Sequence, residues 1–266
     1  MDEIDAWLIN ELNSVTRDAT RHLENYRINE ATKCIYEFFW HTFCDWYVEI
    51  IKDNFNQLKA KTAIYTLINS IKLLHPVMPF ITEEVFHLVK HNLSLELGES
   101  ISKASWPSPI EIPATGDIKK INTLFETIKE IRNIKADLGI AQKKVKLQIK
   151  TSRENEKYLS SHEGWVKRLA YLQAFEFTAA PKRVIYKNAL WELNLDIEEI
   201  NIKDFVSTLD KKINNLEAVK SKVSGRLNNE NFLKNASLET VEEEKNKSRE
   251  IDLQLNRLKE LKDAFR

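Results

Sequence analysis

Glycine, proline and cysteine are all scarce in this sequence. Its 266 residues include 5 Gly, 6 Pro and 2 Cys, whereas Gly and Pro together usually make up about 12% of a chain. This scarcity argues against β-sandwiches, collagen-like repeats and glycine-rich linkers. Cys34 and Cys44 lie about 280° apart around a predicted helix and so cannot easily pair. We therefore expect free thiols in a reducing, cytoplasmic setting.

Long apolar runs and catalytic signatures are also missing. No stretch approaches about 18 consecutive apolar residues, so no membrane span is expected. The acidic N-terminus MDEIDAW lacks the basic start and apolar core of a secretory signal. The sequence contains no GxxxxGK[ST], GxGxxG, GxSxG or HExxH motif. No catalytic residue is therefore assigned.

Neither sign of charge is in excess, because 40 Lys and Arg balance 40 Asp and Glu. The distribution is nevertheless uneven. Residues 1–118 carry 10 basic and 17 acidic side chains, a net charge of −7, whereas residues 119–188 carry 16 and 7, a net charge of +9. Residues 189–202 add −4 and residues 203–266 add +2. A neutral chain can thus present one basic face to a polyanion.

Apolar spacing of three and four residues predicts a helical bundle in the first half of the chain. Asp2 or Asp5 can cap the first helix, and Thr82 can cap the fourth. The second helix is apolar nearly all round, which places it at the centre of the bundle. A loop rich in Gly and Pro is expected over 98–116. The predicted helices span Ile4–Tyr26, Glu30–Lys52, Leu58–Leu74, a short segment ending near His91, and Asp117–Leu138.

The pattern changes after Gly139. Alternating apolar residues predict strands at Val145–Thr151, Ala174–Thr178 and Leu190–Ile197, with a helix between the first two. From Lys203 the spacing becomes heptad-like, with Lys220, Ser248 and Lys262 at seam positions and an Asn-rich turn over Asn228–Ser237. The sequence therefore predicts a mainly α protein: a helical bundle (residues 1–140), a small α+β linking module (141–202) and an antiparallel coiled-coil hairpin (203–266).

Two groups of residues have spacings that metal ligands could use. His87 and His91 lie one helical turn apart but lack a third ligand. His41, Cys44 and Asp45 share a helix side among aromatic residues, which favours core packing over zinc. No metal site is predicted.

The basic segment has the composition of a phosphate-binding surface. Lys143, Lys144, Lys146 and Lys150 follow Arg132 and Lys135, and clustered cations neutralise phosphates. Tyr26, Phe55 and Tyr65 could stack on bases. A solvated helix face and strand edge would have the same composition. In the hairpin, cations alternate with acids, which by itself favours ordinary solubility.

Five motifs carry a family resemblance. FCDWYVEIIK (Phe43–Lys52) and LLHPVMPFITEEVF (Leu73–Phe86) resemble the anticodon-binding domain of class I aminoacyl-tRNA synthetases of the valine, isoleucine and leucine group, and FCDWY is similar to the valine enzymes. ASWPSP (Ala104–Pro109) and IRNIKADLGI (Ile131–Ile140) agree. RLNNENFLKNASLETVEEEKNK (Arg226–Lys247) resembles the turn of the C-terminal coiled coil of bacterial valyl-tRNA synthetases, although Ala236-Ser237 stands where many members have Ala-Pro.

The resemblance implies which partners the chain binds and that catalysis belongs to another domain. The family's catalytic Rossmann domain, its HIGH and KMSKS signatures and its editing domain have no counterpart in the sequence, so we expect a C-terminal portion that cannot activate valine alone. ATP and Mg would serve the longer enzyme, and this portion would need no cofactor. The expected partners are tRNA(Val) and the upstream catalytic domain, and we expect a monomer.

The resemblance also points to candidate tRNA contacts. The bundle would receive the anticodon stem and loop, and the hairpin would lie against the corner formed by the D and T loops. Arg132, Asn133 and Lys135 are the candidates near the anticodon, with Lys143 and Lys144 as phosphate contacts. The hairpin candidates are Lys212, Lys222, Arg226 and Arg249.

Two alternatives remain open at this stage. A helical scaffold whose nearly neutral coiled coil binds another protein would fit the same pattern. The equivalent part of an isoleucyl-tRNA synthetase is the nearest rival within the family, but that enzyme usually ends in a zinc-binding module with clustered cysteines. No Cys follows Cys44 in this chain.

Overall fold

The computed structural model describes residues 2–112, 117–181, 184–196 and 202–265. The chain forms two compact units, Met1–Ile128 and Lys129–Arg266. The boundary falls within the helix Ile118–Asp137. The last turns of this helix therefore belong to the second unit. The three-part division at residues 140 and 202 stays a prediction.

The first unit is a bundle of helices, as the sequence predicts. A turn of 3-10 helix (Ile101–Lys103) is the regular element found in the described part of the Gly- and Pro-rich loop, whose residues 113–116 lie outside the described ranges. The helices are α1 (Glu3–Glu24), α2 (Ile28–Glu37), a π-helical stretch (Phe38–Val48) that continues into α3 (Glu49–Ile51), α4 (Gln57–Leu74), α5 (Pro79–Leu93) and the beginning of α6 (Ile118–Asp137).

Helix α1 is capped at its first turn and buried along one stripe. Asp2 is the N-cap, accepting a hydrogen bond from the Asp5 backbone while the Asp5 carboxylate accepts one from the Asp2 backbone. The ASWPSP loop lies against this helix, because Asn13 exchanges two hydrogen bonds with the Ile110 backbone and Trp106 donates to the Thr20 hydroxyl. The predicted apolar stripe is buried at Ile4, Leu8, Leu12, Val15 and Ala19.

The π-helical stretch corrects the expectation that the second helix is buried all round. A π-helix closes its hydrogen bonds from i to i+5, which changes the register of the side chains. Phe38, Phe43 and Tyr47 are buried at intervals of five and four residues, whereas Trp40 is 51% exposed. Its indole stacks on Tyr36, itself 50% exposed, with ring centroids 5.7 Å apart. An aromatic pair therefore lies on the surface where core was expected.

Helix α5 begins earlier than predicted and is not capped by Thr82. The N-cap is Met78, and Pro79 stands at the first helical position, where its missing N–H costs nothing. Thr82 lies inside the first turn, buried, and its hydroxyl donates to the Met78 carbonyl and bonds to His75. The Met78 side chain makes no capping hydrogen bond. The fixed φ of Pro79, which suits the first helical position, therefore favours the start of the helix here.

The second unit contains a four-stranded sheet and a helical hairpin. The sheet order is β2-β1-β4-β3, with β1 parallel to β2 and antiparallel to β4. The strand predicted at Leu190–Ile197 is observed at Trp191–Asp196, and Ile197 lies outside the described residues. The sequence pattern did not predict the two-residue strand β3. The elements are β1 (Val145–Thr151), α7 (Arg153–Ser161), α8 (Glu163–Leu169), β2 (Leu172–Phe177), β3 (Tyr186–Lys187) and β4 (Trp191–Asp196).

The C-terminal hairpin consists of α9 (Ile202–Leu227), α10 (Glu230–Asn235) and α11 (Leu238–Ala264). Its apolar core is concentrated toward the open end, where Phe205 packs edge-on against Phe265 at 4.9 Å. Leu261, not the predicted Lys262, is buried at the seam. The Asn-rich turn contains a six-residue helix capped by Asn229. Ion pairs cross between the arms at Lys220–Asp252, Arg226–Glu244, Lys259–Glu217 and Lys262–Asp210, as an antiparallel pairing requires.

Candidate nucleic-acid interface

A partly buried charged cluster fixes the start of the bundle. The Lys59 ammonium donates to Asp2 at 2.6 Å and to Asp5 at 3.3 Å, and the Tyr47 hydroxyl donates to Asp5 at 2.7 Å. Burial raises the pKa of the Tyr47 hydroxyl, and the Asp5 carboxylate raises it further. Partial burial opposes ionisation of Asp2, but hydrogen bonds from Lys59 and Asp5 outweigh it and lower the pKa of Asp2. The FCDWY motif thus supplies Tyr47 to a structural network.

Three of the residues considered as metal ligands, His41, Asp45 and His87, have other partners. His41 pairs with Asp45 at 3.0 Å on the surface, which corrects the expectation that they lie in the core. His87 pairs with Glu83 at 3.0 Å. Nowhere in the described ranges do three His, Cys, Asp or Glu side chains gather as metal ligands would. In the same ranges no helix is both long and apolar enough to cross a membrane.

The predicted anticodon residues at the end of α6 face the α8–β2 turn. Arg132 is an exposed residue whose Nε donates to the Leu169 carbonyl oxygen at 2.5 Å. Lys135 is 1% exposed, and its Nζ donates to the carbonyl oxygens of Ala170 at 3.3 Å and Tyr171 at 2.6 Å. The structure therefore places both cations on the carbonyls at and just beyond the C-terminal end of α8, where a helix leaves carbonyls unpaired.

The remaining candidates of the basic segment are more accessible. Asn133 is half-buried, and its amide donates to Glu130 at 3.4 Å. Lys143 and Lys144 are exposed in the turn before β1. The Lys144 ammonium lies 5.5 Å from the centroid of the Tyr171 ring. Both lysines are accessible to a phosphate.

Burial, together with the smaller effect of the nearby Arg132 charge, lowers the pKa of Lys135 from its usual 10.5 to about 8. Between these values the unfolded chain binds more protons than the folded protein, so the free energy of unfolding should rise with pH across this window, by about 2 to 3 kcal/mol. Urea unfolding at pH 7.5 and 10 measures the rise. Lys135→Met should lose it, and Lys129→Met, at an exposed site on the same helix, should keep it. If the free energy of unfolding changed with pH in the same way in both variants, the lowered pKa of Lys135 would not be the cause of the rise.

A brace joins the hairpin to α6 within the second unit. Asp137 accepts bonds from Lys212 at 2.9 Å and from Arg257 at 2.6 Å, and Arg257 also contacts Glu130 at 3.0 Å. Asp137 and Glu130 are only 14% and 19% exposed, so these pairs are stronger than ordinary surface pairs. The predicted tRNA contact Lys212 therefore has a structural partner.

The other hairpin candidates lie on exposed flanks. Lys222 is exposed and makes no ion pair with any residue in the described ranges. Arg226 is 62% exposed and reaches Glu244 at 2.8 Å on the other arm. Arg249 is 68% exposed and lies 3.8 Å from Glu242. The Arg249 pair is exposed on both sides and contributes about 0 to 1 kcal/mol, so a phosphate can compete for Arg249. Glu244 is only 13% exposed, so the Arg226 pair is stronger than an ordinary surface pair.

Sequence reasoning missed a cationic cavity at the end of α8. Its volume is about 460 Å³, and Tyr171 lies at its edge with a φ of 50°. A positive φ in tyrosine is rare and leaves no signal in the sequence. The cavity is lined by Lys144, Lys167, Arg168, Tyr171, Leu172 and Gln173.

Two family models match the chain. Residues 5–151 match the anticodon-binding domain of tRNA ligase, and residues 201–263 match the valyl tRNA synthetase tRNA binding arm. Curated proteins named "Valine--tRNA ligase" are similar along nearly the whole chain: the Aquifex aeolicus protein is 33% identical over 98% of the chain, and that of Fervidobacterium nodosum is 32% identical over 97%. The chain spans 24% and 30% of the length of these two relatives.

Proposed function

Because the chain belongs to the family of tRNA-ligase anticodon-binding domains and continues into a match to the valyl tRNA synthetase tRNA-binding arm, we propose that it is the tRNA-binding part of a valine-specific ligase and that its partner is tRNA(Val). The observation that carries the proposal is the antiparallel hairpin of residues 202–264, which coincides with the second match. An anticodon-binding domain and a separate arm on one chain can hold a tRNA at two points.

In this proposal the anticodon-binding domain and the hairpin bind different parts of the tRNA. Unpaired anticodon bases can be read at their edges and by stacking, whereas a helical stem offers shape and phosphates. The bundle would take the anticodon stem and loop. Of the candidates for that contact, Arg132, Asn133, Lys143 and Lys144 have accessible surface, whereas Lys135 is 1% exposed and bonded to carbonyls. The hairpin flanks carrying Lys222, Arg226 and Arg249 would meet the corner of the D and T loops. Lys212 could join them only by leaving Asp137.

Two-point binding would contribute to catalysis by orientation. Holding the anticodon and the corner directs the acceptor end of the tRNA toward a distant catalytic site. That site, with the ATP and Mg²⁺ of valine activation, would belong to a catalytic domain whose signature motifs this sequence does not contain. The proposal places the protein in the cytoplasm as a monomer, and no step of the chemistry is assigned to residues of this chain.

The first test measures whether the chain binds tRNA(Val) through its phosphates. Fluorescence anisotropy with a labelled tRNA(Val) transcript should give a dissociation constant that rises steeply with salt. Neutralising only about four phosphates weakens binding roughly 50- to 150-fold between about 50 and 200 mM salt. A double-stranded DNA of similar length serves as the control polyanion. Failure to bind the transcript at the lower salt concentration would contradict the proposal.

A second candidate function follows from the hairpin surface. Residues 203–266 have a net charge of only +2, and Leu253 is 71% exposed on α11. A coiled coil that binds another protein would have these properties. The match of residues 201–263 to a tRNA-binding arm favours the tRNA, and the same match separates the chain from the isoleucyl alternative.

A further inference from the structure

Residues 152–200 lie between the two family matches, so neither match assigns them a role. They include α7, α8 and strands β2 to β4. The cavity at the end of α8 is formed mainly by this segment, with Lys144 contributed by the turn before β1. A binding site here would add to the tRNA contacts of the bundle and the hairpin.

The cavity combines an accessible aromatic ring with positive charge. Tyr171 is 41% exposed. Of the six lining residues, Lys144, Lys167 and Arg168 are cations and none is acidic. Lys167 has a carboxylate neighbour in Glu163, at 3.2 Å, but that pair is half-exposed and contributes little. The surface is therefore suited to an anion with a flat apolar group attached.

Contacts from Lys135 and Arg132 fix the backbone that carries the ring. The left-handed backbone at Tyr171 costs about 1 to 3 kcal/mol and persists only where the surroundings determine it. Lys135 supplies that constraint, because its ammonium bonds to the carbonyls of Ala170 and Tyr171 and lies 4.9 Å from the ring centroid. Arg132 bonds to the preceding carbonyl, that of Leu169. Both residues thus act as positioning residues for the α8–β2 turn.

We propose that this cavity binds one unpaired nucleotide of the tRNA, with its base stacked on Tyr171 and its phosphate between Lys144 and Arg168. Base stacking on an aromatic ring beside cations is how proteins bind single-stranded RNA. A paired nucleotide cannot enter, because both faces of its base are covered by its neighbours in the helix. The proposal rests on the proposed function, since it names a further contact of the same tRNA.

The test compares the wild type with four variants by anisotropy with labelled tRNA(Val). Tyr171→Leu should weaken binding about 5-fold or more, and Tyr171→Phe should bind like the wild type because the ring is retained. Lys144→Glu, at an exposed position, should also weaken binding. Lys157→Ala, an exposed lysine of α7 outside the cavity, is the matched control and should change nothing. Circular dichroism establishes that each variant is folded.

Two outcomes separate this inference from the proposed function. If the wild type fails to bind tRNA(Val), the proposed function is wrong. If the wild type binds and folded Tyr171→Leu binds equally well, the nucleotide site is wrong and the proposed function stands. As a second readout, the wild type should prefer an eight-nucleotide single-stranded RNA over an RNA duplex of equal charge, and Tyr171→Leu should reduce that preference. Equal binding of both RNAs, or tighter binding of an oligo-glutamate peptide, would overturn the inference.

Discussion

Removal of the distal half of the hairpin should weaken binding of whole tRNA(Val) by about 100-fold or more, because a second linked contact raises affinity by roughly 10² to 10⁴. The deletion spans residues 221–251 and is closed by a short turn. It removes Lys222, Arg226 and Arg249, the three exposed cations proposed to meet the tRNA corner. The dissociation constant at low salt, measured by anisotropy, gives the result.

The shortened protein should remain folded. The apolar contacts of the open end, including Phe205 with Phe265, are retained, and so is the brace from Lys212 and Arg257 to Asp137. An isolated anticodon stem-loop is the matched control ligand, since it lacks the corner and should bind the shortened and full-length chains equally. Undiminished affinity for whole tRNA(Val) would show that the hairpin is not a tRNA contact.

Lys59→Met should lower the free energy of unfolding of the first unit by about 3 to 5 kcal/mol, the usual cost of breaking a buried ion pair. Lys59 is 4% exposed and Asp5 is 1% exposed, so the substitution leaves a buried carboxylate whose one remaining side-chain donor among the described residues is Tyr47. Hydrogen exchange of peptides from α1 and α4 measures the loss in this unit directly.

Lys61→Met is the matched control, because Lys61 is an exposed residue two positions further along α4. It should change the free energy of opening obtained from hydrogen exchange by less than about 0.5 kcal/mol, as surface substitutions do. Equal protection in Lys59→Met and Lys61→Met would mean that the cluster of Asp2, Asp5 and Lys59 does not stabilise the bundle.

Local patterns predicted the regular elements of this protein well. The α1 stripe follows from apolar spacing, and strand β1 has the bounds that its alternation predicts, Val145–Thr151. Both depend on neighbours a few residues apart. The π-helical register at Phe38–Val48 did not follow, because the same apolar run is compatible with an α-helix buried on all sides.

The candidate site was less predictable because its contacts join distant parts of the chain. Lys135 stands in a basic segment typical of a phosphate-binding surface, yet its ammonium is bonded to carbonyls 35 and 36 residues away. Lys212 is paired with Asp137 across 75 residues. Composition reports which cations are present, but burial and pairing decide which of them remain accessible to a tRNA.

The most direct test of the central claim compares two transcripts that differ only in the anticodon. The dissociation constant of the full chain for tRNA(Val) is measured against that for the same tRNA with another anticodon, at one low salt concentration. Anticodon recognition predicts that the exchange weakens binding about tenfold or more, since each wrong base in a specific site costs about 1 to 3 kcal/mol. Equal affinity for the two transcripts would contradict it.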